Sequence, residues 1–237
     1  AIYDPPRGNA AVLAALAALL RTELGWEVGP ENIAVTPGGQ TAFHFLFNLF
    51  GGKRPDGSPA RILLPLMPEY IGYANQGLEE GMFASQRPGI SRTAPHRFKY
   101  HIDFENLNLG PDIAALCVSR PTNPSGNVIP DSELQRLAVL AKDHQIPLII
   151  DNAYGWPFPG IVFGEATPIW NEQTVHVMSL SKFGLPGTRT AFVVAPPEIA
   201  KAVSSMMAVT GLANGNFGQS IAGPLIADGR ITRLSRE

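Results

Sequence analysis

The sequence predicts an α/β fold: a three-layer, mostly parallel, doubly wound sheet covered on both faces. Short apolar runs such as Pro147–Asp151 and Thr174–Met178 read as fully buried strands rather than as alternating, half-exposed ones. Segments of helical character lie between many of these runs, so strands and helices alternate through most of the chain. With 237 residues and 45% hydrophobic content, the chain can bury a large core, and no internal repeat, low-complexity tract or domain boundary interrupts it.

Taken in order, residues 10–24 are strong helix formers, apolar on more than one face, and stop at Gly25. Asn32–Thr36 reads as a strand, Pro37-Gly-Gly39 as a turn, and Gln40–Phe50 as a helix rich in aromatics. That succession is an anion-binding geometry, because the first helical N–H groups have no intrahelical partner and the helix dipole favours negative charge there; it is equally an ordinary strand-to-helix connection. No Gly-Lys-Ser/Thr ending and no GxGxxG accompany it, which disfavours a P-loop or a dinucleotide fingerprint. Lys53–Pro59 reads as a polar hairpin-like loop before the strand Ala60–Pro65. Tyr70 and Tyr73 then lie three positions apart, suited either to packing or to offering a flat face to a planar ligand. Arg87–Arg97 reads as an excursion loop.

Asp112–Ser119 is another buried strand, leading into Arg120–Val128, whose two prolines and glycine stiffen the chain around Asn123. A helix begins at Asp131, with leucines at 134, 137 and 140 on one stripe. The strand Pro147–Asp151 ends in a carboxylate, which when buried needs a cation or a set of donors, or else caps nearby backbone. Thr190–Ala195 reads as a strand, Pro197–Val209 as a helix, and a further helix runs through Ile226. The first residues lack an initiator methionine and the last, Leu234–Glu237, stop in a helical pattern, so the chain is expected to be a fragment or a processed piece.

Composition narrows the partners. Net charge is −2 with the basic residues scattered singly, which gives no footprint for nucleic acid and no polybasic membrane-binding stretch. No apolar run approaches the roughly 20 residues of a membrane span. Cys117 is the only cysteine, which excludes an intrachain disulfide framework or a cysteine-rich metal site and suits a reducing, cytoplasmic setting.

Chemistry concentrates in Ser179–Arg189, where one lysine, hydroxyls, glycines and an arginine follow a buried strand. Lys182 is one of five lysines and sits in a locally apolar context. A lysine held in an apolar pocket serves as an amine nucleophile or Schiff-base former; the alternative is a surface lysine in a turn. In an open α/β sheet ligands bind at the carboxyl ends of strands, so the turn 37–39, Tyr70, Asn123, Asp151, Tyr154, Ser179 and Lys182 can face one crevice, with Arg189 as a second anion contact. A planar, phosphorylated, cationic heteroaromatic aldehyde would use every group in that inventory.

The motifs Pro68–Tyr73, Ser119–Pro124, Asn123–Gly126, Ile150–Gly155 and Ser179–Gly187, with Arg189 behind them, occur in the order found in fold type I pyridoxal-phosphate-dependent aminotransferases, which the chain resembles along nearly its whole length. The resemblance implies that residues 1–237 are the large, cofactor-binding domain of such an enzyme, without its amino-terminal segment and its carboxyl-terminal small domain. It implies that Lys182 forms the imine with the cofactor and moves the proton, that Asp151 keeps the ring nitrogen protonated, that Asn123 and Tyr154 contact the ring hydroxyl, and that Tyr70 stacks on the ring. Gly39 and Gln40 would hold the phosphate through backbone N–H groups, Ser179 and Arg189 through side chains. Tyr3 would reach the phosphate of a neighbouring subunit, so a homodimer is implied. The activity implied is ping-pong transamination between valine- or alanine-type amino acids and 2-oxo acids such as pyruvate.

Two departures qualify the match. The family often has a hydroxyl residue where this chain has Gly39, at a cost of about 1 kcal/mol for one neutral hydrogen bond. The arginine that binds the substrate carboxylate in the family lies in the small domain, beyond Glu237. A carbon–sulfur lyase of the same fold, or a non-catalytic ligand-sensing domain, would share the cofactor residues.

Overall fold

The computed structural model describes residues 3–237. Helix α1 (Ala10–Leu24) starts where the Asn9 side chain accepts the N–H groups of Ala11 and Val12, and ends at Gly25, whose φ of 68° few other residues adopt readily. Strand β1 (Ile33–Thr36) turns through Pro37-Gly38 into α2 (Gly39–Phe50). A hairpin joins β2 (Gly52–Lys53) to β3 (Pro59–Leu64), as the polar loop predicts. The region expected to be an excursion loop is instead ordered by pairing. After β4 (Phe83–Ser85), β5 (Gly89–Ala94) and β6 (Arg97–His101) form a two-stranded antiparallel ribbon. Its side chains are mostly exposed, so it lacks the buried apolar signature by which the other strands are recognised.

Strand β7 (Ile113–Ser119), helix α3 (Asp131–Asp143) and strand β8 (Leu148–Asp151) make a strand–helix–strand unit. Strand β9 (Thr174–Ser179) and β10 (Ala191–Val194) follow, then α4 (Pro197–Gly211), α5 (Asn216–Ala227) and α6 (Arg230–Arg236). Among the described residues the main sheet has eight strands in the order β1-β10-β9-β8-β7-β3-β2, with β4 added beside β3. Strands β1, β3, β4, β7, β8 and β9 share one direction, and β2 and β10 oppose them. The reversal at β10 follows from its connection. Leu180–Thr190 contains no helix long enough to cross the sheet, so the chain can only return beside β9.

Three layers are visible in the alternation of strand residues. Ala115 and Cys117 of β7, Ile149 of β8 and Val175 and Val177 of β9 pack with α2 and α4 on one face. Leu116 and Val118 of β7 with Leu148 and Ile150 of β8 face α3 on the other, and Met178, Phe192 and Val194 face α1 and α5. The period of two along each strand turns consecutive side chains to opposite layers, and both layers are apolar because both are covered. No helix among the described residues is long and apolar enough to cross a membrane.

Candidate active site

The carboxyl ends of β1, β7, β8 and β9 meet at a crevice of about 300 Å³ whose lining includes Gly39, Gln40, Tyr70, Asn123, Asp151, Tyr154, Ser179, Lys182 and Arg189. Every crevice residue expected from the sequence is therefore brought together. Tyr3 is not among them; it is 81% exposed. A larger hollow of about 770 Å³ lies at the amino ends of β1 and β9, but its lining (Trp26, Trp170, Glu27, Glu172 and Glu198 among others) includes no lysine or arginine.

The turn before α2 is shaped by close approach. Gly38 has φ 87°, and a Cβ there would lie 2.3 Å from Nη2 of Arg189, so the guanidinium rests directly on the turn. Gly39 is different: a Cβ there would meet only Val177 Cγ1, at 3.9 Å. Arg189 itself has φ 48° and ψ 54°, a left-handed conformation that costs a non-glycine residue about 1 kcal/mol or more. Its Nη1 donates to Pro186 O at 3.0 Å, which holds the guanidinium beside the free N–H groups of α2. Ser179 Oγ accepts the Ser181 N–H at 3.2 Å and stands at the end of β9. Two donor-rich side chains and a helix amino end thus converge on one anion-sized place.

Asp151 is half-buried, and burial raises its carboxyl above the ordinary range, opposed by hydrogen bonds from Tyr73 and the Ala153 N–H and by the charge of Lys182. Its Oδ2 accepts Tyr73 Oη at 2.7 Å and its Oδ1 accepts the Ala153 N–H at 2.9 Å. Both expectations for this carboxylate are met, a donor set and a local backbone cap, yet among the described residues it forms no ion pair. Lys182 is exposed, so of the two settings its sequence left open, an apolar pocket or a surface turn, the structure has the second. Residues 180–190 form an open loop, and the amine lies over the Tyr154 ring, 5.4 Å from its centroid. Asn123 is held by its loop: Thr122 N donates to Asn127 O at 2.9 Å and Gly126 N to Thr122 O at 2.8 Å.

The two tyrosines divide the roles left open by their spacing. Tyr70 lines the crevice, while Tyr73 is 1% exposed and packs edge-on against it with ring centroids 5.5 Å apart. Behind them lies a group the sequence reading did not single out. Glu69, 5% exposed, accepts the Ser119 N–H at 2.9 Å, and Ser119 also lines the crevice. The available signal was an acid set between Pro68 and Tyr70 in an otherwise apolar run, Leu63–Met67, since a lone charge there is either exposed or bonded to something specific.

Comparison with known proteins agrees with this geometry. Residues 88–228, more than half of the chain, match the family model described as "Aminotransferase class I and II". The chain is 52% identical over 233 residues to valine–pyruvate aminotransferase of Escherichia coli, covering 98% of this chain and 56% of that protein. It is 32% identical to aspartate/prephenate aminotransferase of Thermus thermophilus, over 86% of this chain and 51% of the relative. Among solved structures, a putative amino-acid aminotransferase from Psychrobacter arcticum superposes with a TM-score of 0.96 at 46% identity, covering 99% of this chain and 56% of the other. Valine–pyruvate aminotransferase from Salmonella typhimurium gives 0.90 at 49% identity, with 99% and 58% covered. The chain therefore spans little more than half the length of these relatives. With its fold, its crevice and these likenesses in agreement, this chain belongs to the class I and II aminotransferase family.

Proposed function

We propose that this chain is the cofactor-binding large domain of a transaminase that exchanges an amino group between valine- or alanine-type amino acids and 2-oxo acids such as pyruvate. The observation that carries the reading is the single crevice in which an amine, a half-buried carboxylate with no ion pair among the described residues, an aromatic face and an anion cradle converge. Pyridoxal phosphate is the cofactor of this family, and the residues present fit it. The Arg189 guanidinium lies against the Gly38 turn, and among the described residues Asp151 lacks a cation of its own. When bound, that group supplies an aldehyde for amines and a ring that withdraws charge from the substrate α-carbon.

Each residue then has a task. The N–H groups of Gly39 and Gln40, the Ser179 hydroxyl and Arg189 hold the phosphate. Asp151 accepts the ring N–H and keeps the ring cationic. Asn123 and Tyr154 donate toward the ring hydroxyl, and Tyr70 covers the ring face. Lys182 Nζ is the catalytic amine: its exposed loop lets it take a proton from the substrate carbon and return it elsewhere. Tyr3, exposed here, serves the neighbouring subunit of a cytoplasmic homodimer.

The test uses the full-length protein. Addition of pyridoxal phosphate to wild type should produce a new long-wavelength absorption band, and Lys182→Ala should abolish it while leaving the fold intact by circular dichroism. A band that survives the substitution sinks the assignment of Lys182. Measuring 2-oxo acid formed from valine, and from an amino acid with a sulfur leaving group on its β-carbon, with and without a second 2-oxo acid separates transfer from elimination, since only a lyase turns over the sulfur substrate without the acceptor.

A further inference from the structure

Glu69 is connected to Asp151 by an unbroken line of oxygens. Its Oε2 lies 2.5 Å from Ser119 Oγ, which lies 3.0 Å from Tyr73 Oη, which lies 2.7 Å from Asp151 Oδ2. The register of the parallel pair β7 and β8 sets Ser119 beside Asp151, and Glu69 and Tyr73, both buried, reach them from the segment that follows β3. Three oxygen–oxygen contacts need three protons. Ser119 and Tyr73 carry one hydroxyl proton each, so a carboxyl must supply the third.

The two carboxyls are not equivalent candidates. Burial raises the Asp151 carboxyl too, but two donors, Tyr73 Oη and the Ala153 N–H, and the charge of Lys182 oppose that rise and favour its anion. Glu69 has no cation within ion-pair distance among the described residues, and its remaining oxygen is already an acceptor for the Ser119 N–H. The titratable groups facing it are Asp151, Tyr73 and Cys117; burial pushes the phenol and the thiol well up, and Asp151 is the one whose anion is favoured by donors and a cation. Burial first, and the nearby Asp151 charge after it, push Glu69 up to about 7 against the pull of its Ser119 bonds.

We propose that Glu69 is a neutral carboxylic acid that heads a one-way hydrogen-bond chain through Ser119 and Tyr73 to Asp151, fixing the site's single negative charge on the carboxylate that faces the cofactor ring. This rests on the reading of Asp151 given above. In that arrangement Oε2 donates to Ser119 Oγ, Ser119 donates to Tyr73 Oη, and Tyr73 donates to Asp151 Oδ2, so every bond points toward the crevice and strengthens the next. Glu69 is then a positioning residue for the ring nitrogen, acting through two hydroxyls and touching neither cofactor nor substrate.

Infrared difference spectroscopy of the full-length protein with isotope-labelled glutamate or aspartate tests this with or without the cofactor. At about pH 6, below the value of about 7, a carboxylic-acid C=O band should shift with labelled glutamate only and vanish in Glu69→Gln. A band that shifts with labelled aspartate, or no such band, overturns the proposal. Pyridoxal phosphate titrations give the second arm. Glu69→Gln, which keeps a donor and an acceptor toward Ser119 as a neutral acid does, should hold affinity within about 3-fold, while Glu69→Leu weakens it at least about 10-fold. A Gln variant as weak as the Leu variant means that a charged Glu69 is required and overturns the inference. Wild-type protein that binds no pyridoxal phosphate refutes the function proposed above, and the infrared result still decides the location of the proton.

Discussion

At the scale of single residues, the crevice is governed by what each position excludes. Gly38 is needed because its φ of 87° would strain any other residue, whereas Gly39 has no such φ and the space over it is open. Gly39→Ser should therefore be accommodated, and its hydroxyl should tighten pyridoxal phosphate binding about 5-fold, the equivalent of one net hydrogen bond of about 1 kcal/mol. Equilibrium titration checks it; weaker binding means that position 39 does not border the phosphate. Glu69 makes a separate prediction about pH. Its folded-state value of about 7 exceeds its ordinary 4.5, so the folded chain holds this proton more tightly than the unfolded chain. The stabilisation is fully present below about pH 4.5 and is lost as pH rises through about 7, so wild type should lose up to about 3 kcal/mol relative to Glu69→Gln across that window. Chemical denaturation of both proteins at several pH values measures it, and parallel curves would contradict the shift. The sequence named Lys182, Asp151, Asn123 and Tyr154 because each stands at a strand end or in a rigid loop beside one. It did not reveal Glu69 or the bond from Tyr73 to Asp151, because those depend on which side chains meet across strands.

At the scale of elements, most boundaries followed from local chemistry. Gly25 ends α1 and Asn9 begins it, accepting Ala11 N–H at 3.0 Å and Val12 N–H at 3.3 Å. Asn9→Ala should cost about 1 kcal/mol, readable as a lowered denaturation midpoint with an unchanged slope. The cost should be on the high side because the same amide also donates to Asp4 at 3.2 Å. Where local chemistry was silent, the reading failed. The β5–β6 ribbon carries exposed and half-exposed residues on both faces, so no period marks it, and only the pairing of Gly89 with His101 through Arg92 with Phe98 makes it a strand pair. The β10 strand was found, but its direction was not, since a strand's residues do not record which way its neighbours run.

At the scale of the whole molecule, three apolar clusters on two faces of one sheet give the chain a continuous interior, and Cys117 lies fully buried within it. Burial above all raises the thiol well above its ordinary value, so both access and ionisation protect it. Thiol-reactive dye should label the native protein far more slowly than the unfolded chain, with a rate that rises with denaturant as the sheet opens; fast labelling without denaturant would mean the core is not closed. The sequence by itself determined the layered α/β architecture, the order of its strands and helices along the chain, and the group of residues that gather at the strand ends. Those rest on periodicity, caps and turns, which are properties of neighbouring residues. The tertiary structure alone decided the reversed strand β10, the exposure of Lys182, the seat of Arg189 on Gly38 and the line from Glu69 to Asp151. Each depends on distances between residues far apart in the chain, which are fixed only when strand register and close packing select one arrangement among the many that the local pattern allows.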